Sequence, residues 1–119
     1  MAWEFAGGQP IYQQIIRSME IQIVSGKYHP GEKIPAVREL AAQAGVNPNT
    51  MQRALTELER EGLLYSRRTS GRFVTENEST IREARRTLAE QFISEMFKNL
   101  ENLGMKRGEI IEAIDRWKE

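Results

Sequence analysis

A chain of 119 residues with 39% hydrophobic side chains is long enough for one small domain with a modest core. It has no cysteine and a single histidine, His29, which excludes disulfides, thiolate metal sites and catalysis by paired histidines. The 17 basic and 17 acidic side chains cancel, which argues mildly against a nucleic-acid partner, but residues 33–74 hold seven basic and only four acidic side chains.

The first predicted element is an amphipathic helix. Pro10 can open it, since proline is tolerated at a helix start, and Gly26 ends it. Between them, apolar side chains recur at helical spacing: Ile11, Tyr12, Ile15, Ile16, Met19 and Ile23. The glycines and prolines of residues 26–35 then predict a connector without regular structure.

Two helices separated by a short turn are predicted next. The first follows Pro35 and stops at Gly45. The second begins at Asn47, a favoured N-cap residue, runs to Glu61 and is followed by Gly62, a usual residue at a helix C-terminus. Helix, short turn and helix together are the layout of a helix-turn-helix motif.

A small β-hairpin is predicted after the second helix. Two β-prone pairs, Leu-Tyr at 64–65 and Phe-Val at 73–74, flank a polar turn. The tip of this hairpin carries three arginines: Arg67, Arg68 and Arg72. As the wing of a winged helix, residues 66–73 could hold DNA phosphates or enter a minor groove. The alternative is that these charges only protect the hairpin edges from aggregation.

Residues 77–119 carry a long apolar stripe and then a short helix. Thr80 and Glu83 predict a capping box at the start of the long helix. Such a helix is not stable from propensity alone, so its stripe needs another surface. We expect seven side chains to pack on a second copy of the chain: Leu88, Phe92, Met96, Leu100, Ile110, Ile114 and Trp117. The alternative is that the helix folds back on its own domain.

The second helix of the motif has two contrasting faces. Its apolar side is formed by four residues: Met51, Ala54, Leu55 and Leu58. Near its N-terminal end, the polar side and its flanks carry Asn49, Thr50, Gln52 and Arg53. This end approaches base edges in helix-turn-helix proteins, where Asn and Gln can pair with adenine, Arg with guanine and Thr with a thymine methyl group. The alternative is an ordinary solvated face.

The order of these motifs resembles a known family. The run GKYHPGEKIPAVRELAAQAGVNPNTMQRALTELEREGLLYSRRTSGRFV closely resembles the DNA-binding domain of GntR-family bacterial transcription regulators, and NPNT, PIYQQI and the two-helix tail are similar to the YtrA subfamily. The resemblance implies a mostly helical fold with a small hairpin: a winged helix-turn-helix DNA-binding domain at residues 1–76 and a dimerisation tail at residues 77–119. It also implies a dimer that binds a palindromic double-stranded DNA operator and usually represses transcription.

The same resemblance implies roles for single residues. By its position alone, Arg38 could either contact a phosphate or pair with Glu39 or Glu61, whereas the family match implies contact with DNA. Gly71 matches the glycine at the wing tip. Gln52 stands where many members have a base-reading arginine, which leaves the sequence preference open. Four more residues match the recognition helix: Asn47, Asn49, Thr50 and Arg53.

Two other functions stay open at this stage. The neutral overall charge favours a winged-helix protein-interaction module whose arginines meet an acidic protein. A small effector could also bind at the dimer interface, among aromatic and Met side chains. No catalytic constellation, cofactor site or metal site is predicted. Without a membrane-spanning apolar run or a signal peptide, the protein is expected in the cytoplasm.

Overall fold

The computed structural model describes Trp3, Phe5 and residues 7–118, which form five helices and one antiparallel hairpin. In chain order the elements are α1 (Ile11–Val24), α2 (Val37–Ala44), α3 (Pro48–Arg60), β1 (Leu64–Arg67), β2 (Gly71–Val74), α4 (Glu78–Glu101) and α5 (Arg107–Arg116). This mostly helical order with a single hairpin confirms the predicted fold class. The chain divides into two compact units, residues 1–85 and 86–119.

The core of the first unit forms where α3 packs against α1 and α2. Four side chains of α3 have no exposed surface, and they are the ones predicted to form its apolar side: Met51, Ala54, Leu55 and Leu58. Ile15 and Met19 of α1 and Leu40 of α2 join them in the same cluster. Full burial of such a side chain stabilises the fold by roughly 1.5–3 kcal/mol, so this packing fixes which face of α3 is left to solvent.

A glycine makes the turn between α2 and α3. Gly45 has a φ of 69°, in the left-handed region that favours glycine, and the next residue, Val46, donates its N–H to the Ala41 carbonyl at 3.0 Å. At the other end of α2, Ala36 makes no side-chain cap. The turn at Gly45 therefore ends α2 and leads within a few residues into α3, as the helix-turn-helix layout requires.

The wing is built from more than its two strands. β1 and β2 pair antiparallel, and the two predicted β-prone segments lie opposite each other, with Leu64 facing Val74 and Tyr65 facing Phe73. The connector before α2 adds a further extended segment, because Ile34 donates its N–H to the Arg72 carbonyl at 3.0 Å and Lys33 forms a β-bridge with Phe73. The glycines and prolines of residues 26–35 predicted only a connector, so this pairing is new information from the structure.

The start of α4 differs from the prediction. The helix begins at Glu78, and the Asn77 Oδ1 accepts a hydrogen bond from the Thr80 N–H at 3.1 Å. The predicted capping box of Thr80 and Glu83 is therefore wrong, because Asn77 is an equally good capping residue and comes first along the chain. The first turns of α4 pack on the core of the first unit through Ile81 and Ala84. The boundary between the two compact units lies inside α4, after Arg85.

The second unit contains the rest of α4 and all of α5. Two of the side chains that we expected to face a partner, Leu88 and Ile110, are instead buried within the single chain, at 5% and 0% exposure. An apolar stripe at helical spacing does not say whether its own chain or a partner covers it, which is why the sequence misassigned these two. No helix in the described part of the chain combines the length and apolar character needed to cross a membrane.

Candidate nucleic-acid interface

The exposed face of α3 carries hydrogen-bonding side chains at its N-terminal end. Asn49, Gln52 and Arg53 are exposed, and Thr50 is half-buried beside them. They stand on the first turns of the helix, whose opposite face is sealed in the core. The structure thus brings the four predicted base-reading side chains together on the part of a second helix that reaches base edges in helix-turn-helix proteins.

The Asn47 side chain caps the N-terminus of α3 with its oxygen. Its Oδ1 accepts a hydrogen bond from the Asn49 N–H at 2.7 Å, which is the N-cap contact that the sequence predicts. An N-cap of this type stabilises a helix by ~1 kcal/mol. The side chain is otherwise exposed, so its amide nitrogen is the group that remains for a ligand.

Arg53 lies against an aromatic ring from another helix. Its guanidinium carbon is 3.7 Å from the centre of the Tyr12 ring on α1. A cation over an aromatic face is attracted to it by about 0.5–1 kcal/mol at an exposed site. The sequence did not indicate that Tyr12 contacts Arg53, because Tyr12 was predicted only as a member of the apolar face of α1.

The arginines of the wing have different surroundings. The guanidinium carbon of Arg67 is 5.1 Å from the centre of the Phe73 ring and 5.7 Å from that of Tyr65, and the two rings stack on each other. Arg68 lies in the hairpin turn. Both arginine side chains are exposed and therefore accessible to a polyanion.

Arg72 is tied to α3 and is not a free wing cation. Its Nε donates a hydrogen bond to the Glu59 carboxylate, and the Ser66 hydroxyl donates to the same oxygen at 2.7 Å. Burial works against the charged form of Glu59, but the bonds from Ser66 and Arg72 and the Arg72 charge hold the pKa of Glu59 below its usual value. The carboxylate therefore stays ionised and links both wing strands to α3.

The wing tip depends on Gly71. Its φ of 107° lies in the region that disfavours side chains, and an added Cβ would come within 3.1 Å of the Lys33 Cε. The Lys33 side chain thus runs close over the glycine and is exposed. Lys33 was not among the predicted site residues, because a lysine in a connector has no spacing that ties it to a hairpin far along the chain.

Arg38 is available on the exposed side of α2. Its two predicted alternative partners are engaged elsewhere: the Glu39 carboxylate accepts a hydrogen bond from Gln43 at 3.5 Å, and Glu61 bonds to Glu20. Among the described residues, no ion pair joins Arg38 to a carboxylate. This arrangement favours the phosphate-contact alternative over the salt bridge.

Two carboxyl groups meet between α1 and the end of α3. Burial, a hydrogen bond with Glu61 and the negative charge of Glu61 raise the pKa of Glu20 from 4.5 to about 8, although the Arg17 charge lowers it. The Glu20–Glu61 pair consequently holds a shared proton at neutral pH. The pair joins two helices that are distant in sequence, so no motif could have predicted it.

The geometry defines a class of protein. Helix α3 follows a glycine turn and carries amide and arginine side chains, and the same compact unit holds an arginine-bearing hairpin. This is a winged helix-turn-helix of the kind that binds DNA. Residues 11–74 match the bacterial regulatory proteins of the gntR family. The chain belongs to the GntR family and is a transcriptional regulator.

Two relatives from Bacillus subtilis (strain 168) are similar along most of the chain. The uncharacterized HTH-type transcriptional regulator YhcF is 35% identical over 98% of this chain and 96% of its own. The HTH-type transcriptional repressor YtrA is 35% identical over 91% of this chain and 81% of its own. Both matches extend into the tail, and the likeness to YtrA confirms the predicted YtrA-like character.

Solved structures support the same assignment. A GntR family transcriptional regulator from Listeria monocytogenes has a TM-score of 0.84 and 34% identity, and the match covers 96% of this chain and all of that one. The AraR DNA-binding domain, solved in complex with operator ORX1, has a TM-score of 0.56 and 36% identity over 60% of this chain and 93% of its own. The fold is therefore shared over 96% of the chain with one solved relative and over 60% of it with a DNA-binding domain solved on its operator.

Proposed function

We propose that this regulator is a dimeric repressor that binds a palindromic operator through the helix at residues 47–61 and the wing at residues 66–73. The observation that carries the proposal is the exposed amide-and-arginine face at the start of α3, held beside an arginine-bearing wing in one compact unit. The operator complex of AraR and the repressor name of YtrA support it. A DNA-binding regulator acts where the chromosome is, which in a bacterium is the cytoplasm.

Sequence would be read in the major groove by α3. Gln52 and Asn49 can form paired hydrogen bonds with adenine, and Arg53 with guanine, while Thr50 can contact a thymine methyl group or a phosphate. Asn47 would contribute its amide nitrogen, since its oxygen caps the helix. Each good bidentate pair discriminates against a wrong base by about 1–3 kcal/mol.

The DNA backbone would be held from both sides of α3. Arg38 on α2 and the wing arginines Arg67 and Arg68 are exposed cations suited to phosphates or to a narrow minor groove. Gly71 lets the wing tip come close to DNA. In this proposal Arg72 orients the wing through Glu59 and makes no phosphate contact of its own.

The second unit offers the surface for pairing two copies. Four of the side chains predicted to face a partner keep between 36% and 69% of their surface exposed: Phe92, Met96, Ile114 and Trp117. A fifth, Leu100, is half-buried. Several large apolar side chains left exposed on one small unit favour an interaction surface there. A two-fold dimer is the commonest way to cover it, and it presents two recognition helices to a palindrome.

Selection from a randomised duplex pool of about 30 base pairs, roughly three helical turns, tests the proposal. The purified chain should enrich an inverted repeat, and occupation of that repeat at a promoter should reduce transcription in vitro. Enrichment without any shared sequence, or binding that is independent of duplex length together with a stable complex with an acidic protein, would favour the protein-interaction module instead.

A further inference from the structure

We propose that Tyr12 is a positioning residue for DNA recognition, because its ring holds the Arg53 guanidinium at the reading end of α3. The inference rests on the proposed function, since it takes Arg53 to be a DNA-contacting side chain. If so, α1 contributes to base recognition although it lies outside the helix-turn-helix motif.

The contact between Arg53 and Tyr12 is close, and it joins an exposed side chain to a half-buried one. The guanidinium carbon of Arg53 lies 3.7 Å from the Tyr12 ring centre, compared with 5.1 Å and 5.7 Å for Arg67 over the two wing rings. Tyr12 is half-buried on α1, which packs on α3, whereas Arg53 is exposed. The ring is therefore the fixed partner, and it limits the conformations of a side chain that would otherwise move freely in solvent.

A ring partner leaves the arginine chemically available. Guanidinium carries five N–H donors, and its forked bonds to guanine or phosphate need them. A carboxylate partner would take up these donors, as Glu59 does with the Nε of Arg72. The face of Tyr12 holds the cation without a carboxylate oxygen, so Arg53 keeps its donors for DNA.

A competing carboxylate is near but occupied. Glu57 lies one helical turn beyond Arg53, at a spacing where ion pairs form on helices. Its carboxylate instead lies 3.5 Å from the guanidinium of Arg60. In the described part of the chain no ion pair connects Arg53 to a carboxylate, so Tyr12 takes the place that Glu57 could have filled.

The contact lies at the end of α3 that reads bases. A surface groove of about 360 Å³ is lined by residues of both helices: Ile11, Tyr12, Asn49, Thr50 and Arg53. The Tyr12 ring and three of the predicted base-reading residues, Asn49, Thr50 and Arg53, thus line one concave surface. Holding Arg53 there before DNA arrives removes part of the ordering cost that a flexible side chain otherwise contributes on binding.

The test separates the ring from the hydroxyl and from simple packing. Tyr12→Phe keeps the ring, and Tyr12→Leu and Tyr12→Met keep only apolar volume. Affinity is measured by fluorescence anisotropy at one salt concentration, on the duplex that the unaltered chain selects from the randomised pool. Tyr12→Phe should bind as the unaltered chain does, and the Leu and Met variants about two- to fivefold more weakly. In an Arg53→Ala background, Tyr12→Leu should change nothing further.

Base preference distinguishes a positioning role of Tyr12 from a purely structural one, because loss of packing alone would not change which base is preferred. Repeating the selection with Tyr12→Leu should relax the preference at the same base position that Arg53→Ala relaxes. Tyr28→Leu, which alters another half-buried tyrosine of the first unit, is the matched control and should keep both affinity and preference. Thermal melting identifies which of the Leu and Met variants are folded and can be compared.

Three results would overturn the inference. Full affinity of folded Tyr12→Leu or Tyr12→Met, while Arg53→Ala binds weakly, would remove the role of Tyr12 and leave the proposed function intact. An equal loss in Tyr12→Phe would assign the effect to the hydroxyl. Additive losses for Tyr12→Leu and Arg53→Ala would show that the two side chains act separately. Full affinity of Arg53→Ala would instead contradict the role given to Arg53 under the proposed function.

Discussion

Four arginines of α3 and the wing fall into two groups according to their partners. Arg53 and Arg67 lie over aromatic rings, whereas Arg60 and Arg72 contact carboxylates. The sequence predicted that the wing arginines form one set. It could not separate Arg72 from Arg67, because the Glu59 that binds Arg72 comes from another element and no spacing rule connects the two.

The first prediction concerns two exposed arginines of the helix-turn-helix, Arg53 on α3 and Arg38 on α2. Arg53→Ala should lower affinity for the selected duplex by about 1–3 kcal/mol and relax one base preference, as expected for a bidentate base contact. Arg38→Ala should weaken binding to all sequences and reduce the salt slope by about one, as expected for a phosphate contact. Titrations at several salt concentrations distinguish the two effects, and retained affinity in both folded variants would refute the assignments.

The second prediction concerns the protonated Glu20. A carboxyl whose pKa is raised on folding, here from 4.5 to about 8, stabilises the fold most below pH 4.5 and loses that contribution as the pH rises towards 8. Glu20→Gln mimics the protonated form, so its melting temperature should fall less between these pH values than that of the unaltered chain. Glu90→Gln, at an exposed site on α4, serves as the control. Parallel pH profiles for the two variants would contradict the buried-carboxyl account.

At the level of elements, local sequence patterns predicted the helices and the hairpin, but not the contacts between segments far apart in sequence. The order of α1, α2, α3 and the hairpin followed from helical spacing and breaker residues, and the two β-prone segments form the hairpin as predicted. Two features escaped prediction. The connector pairs with β2 through long-range backbone bonds, and α4 starts at Glu78 because Asn77 caps it before Thr80 can. The first depends on a contact between segments far apart in sequence, and the second on which of two possible residues caps the helix.

The third prediction concerns the attachment of the wing to α3. Glu59→Gln removes the charge that holds Arg72 and Ser66, and should lower the free energy of unfolding by about 1.5–3 kcal/mol, the range for hydrogen bonds to charged groups. Because the pKa of Glu59 is lowered on folding, this contribution is present above pH 4.5 and is lost as the pH falls through the lowered pKa.

Chemical denaturation at neutral pH measures this loss. Glu57→Gln is the matched control, because its partner Arg60 is 77% exposed and such surface pairs contribute about 0–1 kcal/mol. Equal stability of the two variants would show that the Arg72 contact does not anchor the wing.

For the whole molecule, the sequence predicted a DNA-binding part and a tail. It did not predict which apolar side chains of the tail stay exposed in the single chain. Of the seven side chains assigned to dimerisation, Leu88 and Ile110 are buried in one chain, while Phe92 and Trp117 keep large exposed areas. Spacing identifies an apolar face, but only packing shows how much of it the chain covers itself. The functional division at residue 76 stays a prediction, because the compact units meet further along, inside α4.

The fourth prediction tests the exposed apolar surface of the second unit. Phe92→Glu places a charge where Phe92 is 45% exposed, and burying that charge against a second copy should raise the dimer dissociation constant by about tenfold or more. Ile21→Glu, at a 39% exposed apolar site on α1, is the control and should leave the dimer unchanged. Sedimentation equilibrium measures both, and an unaltered constant for Phe92→Glu would remove this surface from the interface.

Hydroxyl-radical footprinting of the selected duplex tests most directly whether two recognition helices act together. Two symmetric protected stretches on one face of the duplex, separated by one helical turn of about 10 base pairs or a whole multiple of it, are the predicted result. A single protected stretch at saturation, or protection spread evenly over unrelated sequences, would contradict the account.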